Sequence, residues 1–352
     1  PAPLPPGSLY LQPGQERRKS GSHKTPREHT APILEHTLGP ILSDLGEHPT
    51  PEQILDLKVC DPAMGSGAFL VETVRYLADR LVESWDYHNF VDRTGIEEDE
   101  DRLLYARRLV AQRCIYGVDR NPFAVDLAKL SLWLFTMAKH QPFTFVDHAL
   151  RHGDSLVGLS LDQLIDVSWD SKNAGDDLAL VRAKIVEKVT GAKFLREHIL
   201  KKAEDDDQDE KRSLLEDADE AVHDIRLIGD AVISAFFAHG KKKARTDELK
   251  AVQSEIFNWL TKTSDSFDLE VRQANLRESQ APFHWEIEFP EVFRRDNPGF
   301  DALVGNPPFA GKNTISSGNG DQYINWLQEI HEGAHGNSDL CAHFFRRCFT
   351  HV

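Results

Sequence analysis

The sequence predicts an α/β fold: a doubly wound, mainly parallel sheet with a large helical insertion. Three observations lead to this prediction. From Pro51 to about residue 160, short apolar strands alternate with segments of helical periodicity, and polar loops follow the strand ends. From 161 to about 280 the chain is mostly charged and helix-favouring, with few strand signals. Strand character then returns ahead of residue 305, where another polar loop begins.

The predicted elements are assigned from apolar periodicity. Helices are placed where apolar residues recur every three or four positions, and strands where short apolar runs end in turn residues. In chain order they are a strand at Leu57–Cys60, a helix over 70–81, a helix around 101–112, a strand at Cys114–Asp119, a helix over about 123–139, and strands at Trp285–Phe289 and Phe300–Val304. In the helix after residue 122, Leu127, Leu130, Ser131 and Leu134 form one stripe.

These patterns divide the chain into four segments. Residues 1–16 are rich in Pro and Gly and predict a disordered or extended lead-in. Segments 17–160 and 281–352 carry the strands, and 161–280 is the helical insertion. Within the insertion, the acidic run at 204–210 indicates a solvated helix face or loop. Because the sequence stops at Val352, directly after a helix-like stretch, we expect later strands of the sheet to lie outside this chain.

Composition limits the class of protein. Hydrophobic residues make up 40% of the chain, which is enough for a core. No uncharged apolar run approaches the ~20 residues of a membrane span, and the sequence opens without a signal segment, so we expect a cytoplasmic protein without a membrane partner. The four cysteines lack CxxC spacing and are expected to be free thiols. No His, Cys or Asp cluster has metal-ligand spacing, so we expect no metal.

A glycine-rich turn follows the first predicted strand, at Asp61–Gly67. Without side chains at Gly65 and Gly67, a ligand can approach the backbone N–H groups at the start of the next helix. By itself such a turn fits dinucleotide binding or simple close packing. It lacks the GxGxxG pattern of nicotinamide enzymes and the GK[ST] of a P-loop, which counts against those two nucleotide sites.

Two carboxylates follow the next strands. Asp119 is placed to accept hydrogen bonds from a ribose diol, or alternatively to cap the helix that starts near Pro122. Asp154 is placed to accept from an adenine amine, or alternatively to belong to an ordinary turn. The local pattern leaves both interpretations open for each residue.

The loop Asn306–Phe309 decides between these interpretations. Its two prolines remove two backbone donors and fix two φ angles, so the loop displays carbonyl oxygens and an amide side chain. Asn306 Oδ1 and the Pro307 carbonyl can accept the two hydrogens of a planar exocyclic amine, while Phe309 stacks on its face. A Pro-Pro turn with a core Phe is the structural alternative, and it fits the other three elements less well.

These four elements in this order resemble the amino-methyltransferases that use S-adenosylmethionine (SAM), and Asp61–Leu70 and Asn306–Phe309 carry the likeness. Residues 18–26 are similar to the N-terminal SAM-contacting motif of the γ-class DNA adenine-N6 methyltransferases, although Lys24 stands where that class usually has an aromatic residue. Phe283–Pro290 is similar to a stretch in type IIG restriction–modification methylases and in phage-defence methylases of the BREX and DISARM kind. The resemblance identifies 17–160 as the SAM-binding part and 281–352 as the catalytic part of a methyltransferase domain.

The resemblance implies a prokaryotic enzyme that methylates adenine N6 in double-stranded DNA, after flipping the base out of the duplex. The catalytic residues it implies are Asn306, Pro307 and Phe309. The cofactor-binding residues it implies are Thr25, Asp61, Pro62, Ala63, Gly65, Gly67, Asp119, Asn121, Asp154 and Ser155. Among these, Asp119 would hold the SAM ribose and Asp154 its adenine amine. Accepting both N6 hydrogens localises the lone pair of the amine, so neither a metal nor a strong base is required.

Two other functions stay open on the sequence. NPP[YF] loops also serve methylases of guanine N2 in RNA and of glutamine in proteins, and a SAM-binding subunit without catalysis is a further alternative. The net charge of −16 opposes a strong grip on duplex DNA by this chain alone. We therefore expect a target-recognition domain or a partner subunit outside this chain to supply much of that grip.

Overall fold

The structure is a computed structural model that describes residues 25–89, 102–139, 141–174, 178–202, 207–331 and 333–352. The lead-in predicted for 1–16, the N-terminal motif before Thr25 and part of the acidic run predicted for 204–210 lie outside the described residues. Within these ranges, no helix combines the length and the apolar character that a membrane crossing needs.

Helices make up most of the described chain, and short strands interrupt them. In chain order the elements are α1 (Arg27–Asp44), α2 (Pro51–Asp56), β1 (Val59–Asp61), α3 (Ala68–Tyr87), α4 (Arg102–Arg113), β2 (Ile115–Asp119), α5 (Pro122–Phe135), β3 (Leu150–His152), α6 (Leu161–Ile165), α7 (Leu178–Lys201), α8 (Gln208–Ala221), α9 (His223–Phe237), α10 (Lys242–Leu260), α11 (Phe267–Arg277), α12 (Trp285–Glu288), α13 (Pro290–Phe293), β4 (Ala302–Leu303), α14 (Lys312–Asn319), α15 (Asp321–Ile330) and α16 (Leu340–Phe349).

The four strands form one parallel sheet in the order β3-β2-β1-β4. In this register Val59 lies beside both Ile115 and Ala302. The predicted parallel sheet is confirmed, and the strands expected at 57–60, 114–119 and 300–304 are present with slightly different ends. β3 was not predicted, because it is three residues long and its Arg151 and His152 interrupt the apolar pattern.

Helices α1 to α5 cover one face of the sheet. Val59 and Ile115 are buried in this layer with Leu70 and Val74 of α3. The buried residues of α3 recur at the helical spacing that predicted it, because only one side of the helix faces the strands. This layer is one half of the doubly wound fold.

Aromatic residues cover the opposite face. Tyr116 and Val118 of β2 pack there with a cluster that includes Trp285 and Phe289. The strand predicted at Trp285–Phe289 is wrong, since the chain forms the one-turn helices α12 and α13. The Phe289 N–H donates to the Trp285 carbonyl at 3.0 Å, which places both rings on the side that faces the sheet. A short aromatic run fits a strand and a helical turn equally well, so periodicity could not separate them.

The apolar stripe predicted on α5 faces outward. Leu127, Leu130 and Leu134 are 52%, 46% and 61% exposed, and α5 ends at Phe135 rather than at 139. The buried side of α5 consists of Ala124, Val125, Ala128 and Leu132, and at Ala128 the helix passes close to Gly67 at the start of α3. The stripe was recognised correctly as helical, but it is not the core face of this helix.

The helices from α6 to α11 have a core of their own. In α9, ten of the twelve residues from Ile225 to Phe236 are buried, so this helix lies at the centre of that core. Leu327 of α15 and Phe344 of α16 pack against the same cluster. The predicted fold class, with a parallel sheet covered on both faces and a helical insertion, is therefore confirmed.

Buried ion pairs join the insertion to the sheet. The Arg196 guanidinium donates to both oxygens of Glu291, at 2.6 and 2.8 Å, and the two side chains are 2% and 1% exposed. Arg226 of α9 pairs with Glu288 of α12 in the same two-point way, at 2.6 and 2.8 Å. Burial alone would raise the pKa of the Glu288 carboxyl, but Arg226 and Arg151 outweigh it and hold that pKa well below its usual range.

We predict that Glu291→Ala lowers the free energy of unfolding by about 3–5 kcal/mol, because it leaves the Arg196 guanidinium buried without its counter-charge. Denaturant unfolding at neutral pH measures the loss. Glu197→Ala is the matched control, since its carboxylate pairs with lysines at the surface of α7 and should cost under about 1 kcal/mol. Equal losses in the two variants would contradict the importance of the buried pair.

Candidate functional site

The loops at the carboxyl ends of the four strands lie at one edge of the sheet, because the strands are parallel. We refer to residues 61–67, 119–122, 152–156 and 304–310 together as the loop edge. Backbone hydrogen bonds tie its neighbouring parts together. The Met64 N–H donates to the Val118 carbonyl at 3.1 Å, and the Gly153 N–H donates to the Asp119 carbonyl at 2.9 Å. All four predicted motifs therefore meet in space.

The glycine turn depends on backbone conformations that other residues rarely adopt. Gly65 and Gly67 have φ angles of 54° and 80°, and Gly67 is the N-cap of α3 without any side-chain cap. A Cβ on Gly67 would lie 3.2 Å from the Ala128 Cβ, so α3 and α5 can approach only over a glycine. A Cβ on Gly65 would have no described atom within 4 Å. The space above Gly65 is therefore open to a ligand at the start of a helix.

Asp119 holds the glycine turn and the next loop in place. Its Oδ2 accepts the Gly65 N–H at 2.9 Å, and its Oδ1 accepts the Asn121 N–H at 2.8 Å. Burial, first of all, raises the pKa of this carboxyl, and the two N–H donors oppose that shift. The cap of α5 is Asn121, whose side chain accepts the Phe123 N–H. Each Asp119 oxygen keeps a second lone pair, so two hydroxyl donors can still bind.

Asp61 is a buried carboxyl beside the last strand. Its Oδ1 accepts the Ala63 N–H at 3.0 Å. Burial raises the pKa of Asp61 to about 8, and the nearby Asp119 charge adds to the shift. A Cβ on Gly305 would lie 2.5 Å from Asp61 Oδ1, so the chain after β4 passes directly over this carboxyl.

Asp154 and Ser155 face inward. The Asp154 carboxylate accepts the Tyr323 hydroxyl at 3.0 and 2.9 Å and the Leu156 N–H at 2.9 Å, and the residue is 3% exposed. Ser155 is buried too, and its hydroxyl donates to the Pro62 carbonyl at 2.5 Å. Ser155 thus links the loop after β3 to the glycine turn, and Asp154 links it to α15.

Two side chains of the Asn306–Phe309 loop are exposed. The Phe309 side chain is 72% exposed, and Asn306 is exposed as well. Asn306 Nδ2 lies 3.5 Å from Thr25 Oγ1, so Thr25, the first described residue of the N-terminal motif, lies at the same place. Behind the loop, the Ala310 N–H donates to Asp339 Oδ1 at 3.1 Å. An aromatic ring and an amide are therefore presented to solvent on a loop that is fixed at its far end.

Three residues near these motifs were not predicted. Tyr323 covers Asp154, Arg120 lies 3.5 Å from an Asp154 oxygen, and Asp339 fixes the end of the Asn306 loop. Asp339 carried a signal, because an Asp directly before an apolar helical run is an N-cap pattern, and its side chain does accept the Cys341 N–H. Tyr323 and Arg120 carried no comparable local signal.

A groove of about 420 Å³ opens beside the glycine turn. Thr25, Ser66 and Ala68 line it together with Leu134 and Phe135 of α5. Its volume falls within the range of small-ligand sites. A larger cavity of about 800 Å³ lies within the insertion and includes no residue of the loop edge. In the part of the chain that the structure describes, no group of three or more His, Cys, Asp or Glu side chains could hold a metal ion.

Two family models match the chain. The model of the Eco57I restriction-modification methylases matches residues 113–351, which is more than half of the 352 residues. The model of the MmeI DNA-methyltransferase domain matches residues 48–163. Between them the two matches include every strand and every loop of the loop edge.

Curated relatives resemble the chain over part of their own length. A putative type II restriction enzyme and methyltransferase of Methanocaldococcus jannaschii is 24% identical over 73% of this chain and 22% of that protein. The adenine-specific methyltransferase PglX of Streptomyces coelicolor is 29% identical over 49% of this chain and 14% of that protein. A type II restriction enzyme and methyltransferase of Escherichia coli is 26% identical over 43% of this chain and 16% of that protein. The chain thus spans less than a quarter of each relative, and no solved structure matches it.

We predict that Asp61→Asn removes part of the pH dependence of folding. Unfolded Asp titrates near 3.9, whereas burial raises the pKa of folded Asp61 to about 8. The folded chain therefore keeps a proton that the unfolded chain has released, and its stability falls as pH rises through this range. Between pH 5 and 8.5, the free energy of unfolding should fall by at least about 1.4 kcal/mol more in the wild type than in the variant. This difference is the free energy that corresponds to one pKa unit.

Denaturant unfolding of the free chain at the two pH values measures this difference. Asp79→Asn, at an exposed position of α3, is the control and should keep the wild-type pH dependence. If Asp61→Asn also keeps it, the Asp61 carboxyl is ionised in the folded chain at neutral pH and the assignment fails.

Proposed function

The chain belongs to the Eco57I restriction-modification methylase family, and from this membership we propose that it transfers the methyl group of SAM to adenine N6 in DNA, in restriction–modification or phage defence. One observation carries the proposal. The exposed Asn306–Phe309 loop lies at the same sheet edge as the open glycine turn and Asp119. A site for a planar amine and a site for a nucleoside cofactor are thereby adjacent.

The described residues fit SAM at the glycine turn. The space above Gly65 is open, and backbone N–H groups of the first turn of α3 begin there. Asp119 has free lone pairs for a ribose diol, and Asp61 supplies a second acidic group beside it. The Asp119 carboxylate favours a ligand that carries a sulfonium and an ammonium charge, whereas Asp61, which keeps its proton, is a neutral polar neighbour. When bound, the cofactor supplies an electrophilic methyl group.

The exposed loop suits the amine of a flipped base. Asn306 Oδ1 and the Pro307 carbonyl would accept the two N6 hydrogens, and Phe309 would stack on the base. A ring that is 72% exposed in the free chain is available for such stacking. The base inside a duplex cannot reach a loop of this shape, so flipping is part of the proposal.

The reaction needs positioning more than proton transfer. Adenine N6 is a weak nucleophile because its lone pair is delocalised into the ring. Two acceptors at Asn306 and Pro307 draw that pair onto nitrogen and point it at the methyl carbon. With SAM bound, N6 would take up the methyl group as the carbon–sulfur bond breaks and would release one proton to water, while Asn306 and Pro307 hold the amine in place. The chain's contribution is orientation and electrostatic stabilisation.

DNA is the substrate class that the relatives favour over RNA or protein glutamine. The names of the relatives refer to restriction enzymes and to an adenine-specific methyltransferase. The net charge of −16 gives little attraction for the DNA backbone. We propose that a target-recognition domain or a partner subunit supplies most of the phosphate contacts.

We predict that Asn306→Ala lowers the rate of N6-methyladenine formation by roughly 10²–10³, because it removes one of two acceptors that act in the transition state. SAM affinity should hardly change, since the one side-chain hydrogen bond of Asn306 within the described residues is the 3.5 Å contact to Thr25. The rate is measured on the full-length protein, and SAM binding by calorimetry.

Phe309→Ala serves as the companion variant. It removes stacking worth ~1–3 kcal/mol on the flipped base, so DNA affinity should fall together with the rate. A thermal melt of both variants, with and without SAM, detects any loss of folding. Near-normal methylation by Asn306→Ala would sink the catalytic role of this loop and favour a SAM-binding protein without catalysis.

We also predict that Asp119→Ala weakens SAM binding by about 1–3 kcal/mol, the usual loss when hydrogen bonds to a charged group disappear. Calorimetry on the chain measures the affinity. Asp126→Ala, at an exposed position of α5, is the control and should bind SAM as the wild type does. Unchanged affinity in Asp119→Ala would refute the ribose assignment.

A further inference from the structure

Tyr323 is a buried tyrosine whose hydroxyl has one acceptor, Asp154, among the residues that the structure describes. The side chain is 2% exposed, and its hydroxyl donates to the Asp154 carboxylate, 3.0 Å from Oδ1 and 2.9 Å from Oδ2. Burial and the adjacent Asp154 raise the pKa of this phenol well above its usual range. Tyr323 is therefore neutral at physiological pH and remains a hydrogen-bond donor.

The Asp154 carboxylate can accept one more hydrogen bond by the count of its acceptor positions. A carboxylate offers about four acceptor positions. In addition to Tyr323, it accepts the Leu156 N–H at 2.9 Å and forms an ion pair with Arg120 at 3.5 Å. These contacts fix the plane of the carboxylate, whose side chain is 4% exposed, and the count of acceptor positions leaves about one for a further donor.

Arg120 links Tyr323 and Asp154 to the junction of α14 and α15. Its guanidinium carbon lies 5.6 Å from the centre of the Tyr323 ring. It also donates to the Asn319 side chain at the end of α14 and, at 3.1 Å, to the Ser279 carbonyl. Only Ala310 and Gly311 separate α14 from the Asn306–Phe309 loop. The helix that carries Tyr323 is thus connected to the exposed loop and held against the ends of β2 and β3.

We propose that Tyr323 is a positioning residue for cofactor recognition. It orients Asp154 toward the 6-amino group of the adenine of SAM. It thereby sets the preference of the site for a cofactor with a 6-aminopurine over one with a 6-oxopurine. This inference rests on the proposed function, because it requires SAM at the loop edge. A purely structural role for Tyr323 predicts something different, namely that loss of its hydroxyl lowers the affinity for both kinds of cofactor equally.

The preference is measured with two product analogues. S-adenosylhomocysteine carries the amine, and S-inosylhomocysteine carries an oxo group at the same position. Calorimetry gives the affinity of the chain for each. The wild type should prefer the adenine compound about 10- to 100-fold, the range for one hydrogen bond to a charged group. Tyr323→Phe keeps the ring but removes the donor, and the preference should fall at least five-fold.

Leu327→Ala is the matched control. Leu327 lies one turn further along α15 and is fully buried in the same cluster, but it makes no hydrogen bond to Asp154. This variant should lower the melting temperature and keep the wild-type preference. In an Asp154→Asn background, Tyr323→Phe should change the preference no further, because the two residues act through one contact. In methylation assays, Tyr323→Phe should raise KM for SAM and leave kcat within about two-fold.

The outcomes separate this inference from the proposed function. If the wild type binds neither analogue, the proposed function is wrong and the role of Tyr323 falls with it. If the wild type prefers the adenine compound and Tyr323→Phe keeps that preference, the proposed function stands and the positioning role is wrong. Equal weakening of both analogues by Tyr323→Phe also overturns the role, because it marks a structural effect.

Discussion

The parallel pairing of β1 with both β2 and β4 is the constraint on which the site depends. Because β1 lies between these strands, its glycine turn has the Asp119 loop on one side and the Asn306 loop on the other. Neighbouring strands are about 5 Å apart. The glycine turn proposed for the cofactor and the Asn306 loop proposed for the substrate are therefore adjacent. Gly305 makes this closeness possible, since any Cβ there would collide with Asp61.

The parts of the site that could be predicted from the sequence are those that a few neighbouring residues determine. The glycine turn needs positive φ angles, and the Asn306 loop is fixed by its two prolines, so each is visible in a short stretch. The direction of the Asp154 side chain depends on Tyr323, which is 169 residues away in sequence. No local pattern records such a partner. The aromatic run at Trp285–Phe289 was predicted as a strand because a short run of this kind fits a strand and a helical turn equally well.

That aromatic run explains how the insertion is attached. The aromatic residues of α12 and α13 face the sheet. Glu288 of α12 and Glu291 of α13 face the insertion, where Glu288 pairs with Arg226 and Glu291 pairs with Arg196. One short segment therefore covers the sheet and receives the charges of two insertion helices. A buried ion pair adds little net stability, but it is costly to break. The insertion is thus tied to one position on the sheet, which apolar packing alone would not specify.

The charge of the loop edge reconciles an acidic chain with a polyanionic substrate. Asp119 and Asp154 lie at two neighbouring strand ends, where carboxylates favour a cationic ligand over phosphate, and the protonated Asp61 lies at the next strand end. Asn306 and Phe309, which are exposed at this edge, are uncharged. In the proposed reaction only a neutral base enters this edge, while the phosphates stay outside it. In the proposed reaction this site would favour its cofactor by charge and its substrate by hydrogen bonds and stacking, and contacts to the DNA phosphates would come from other residues.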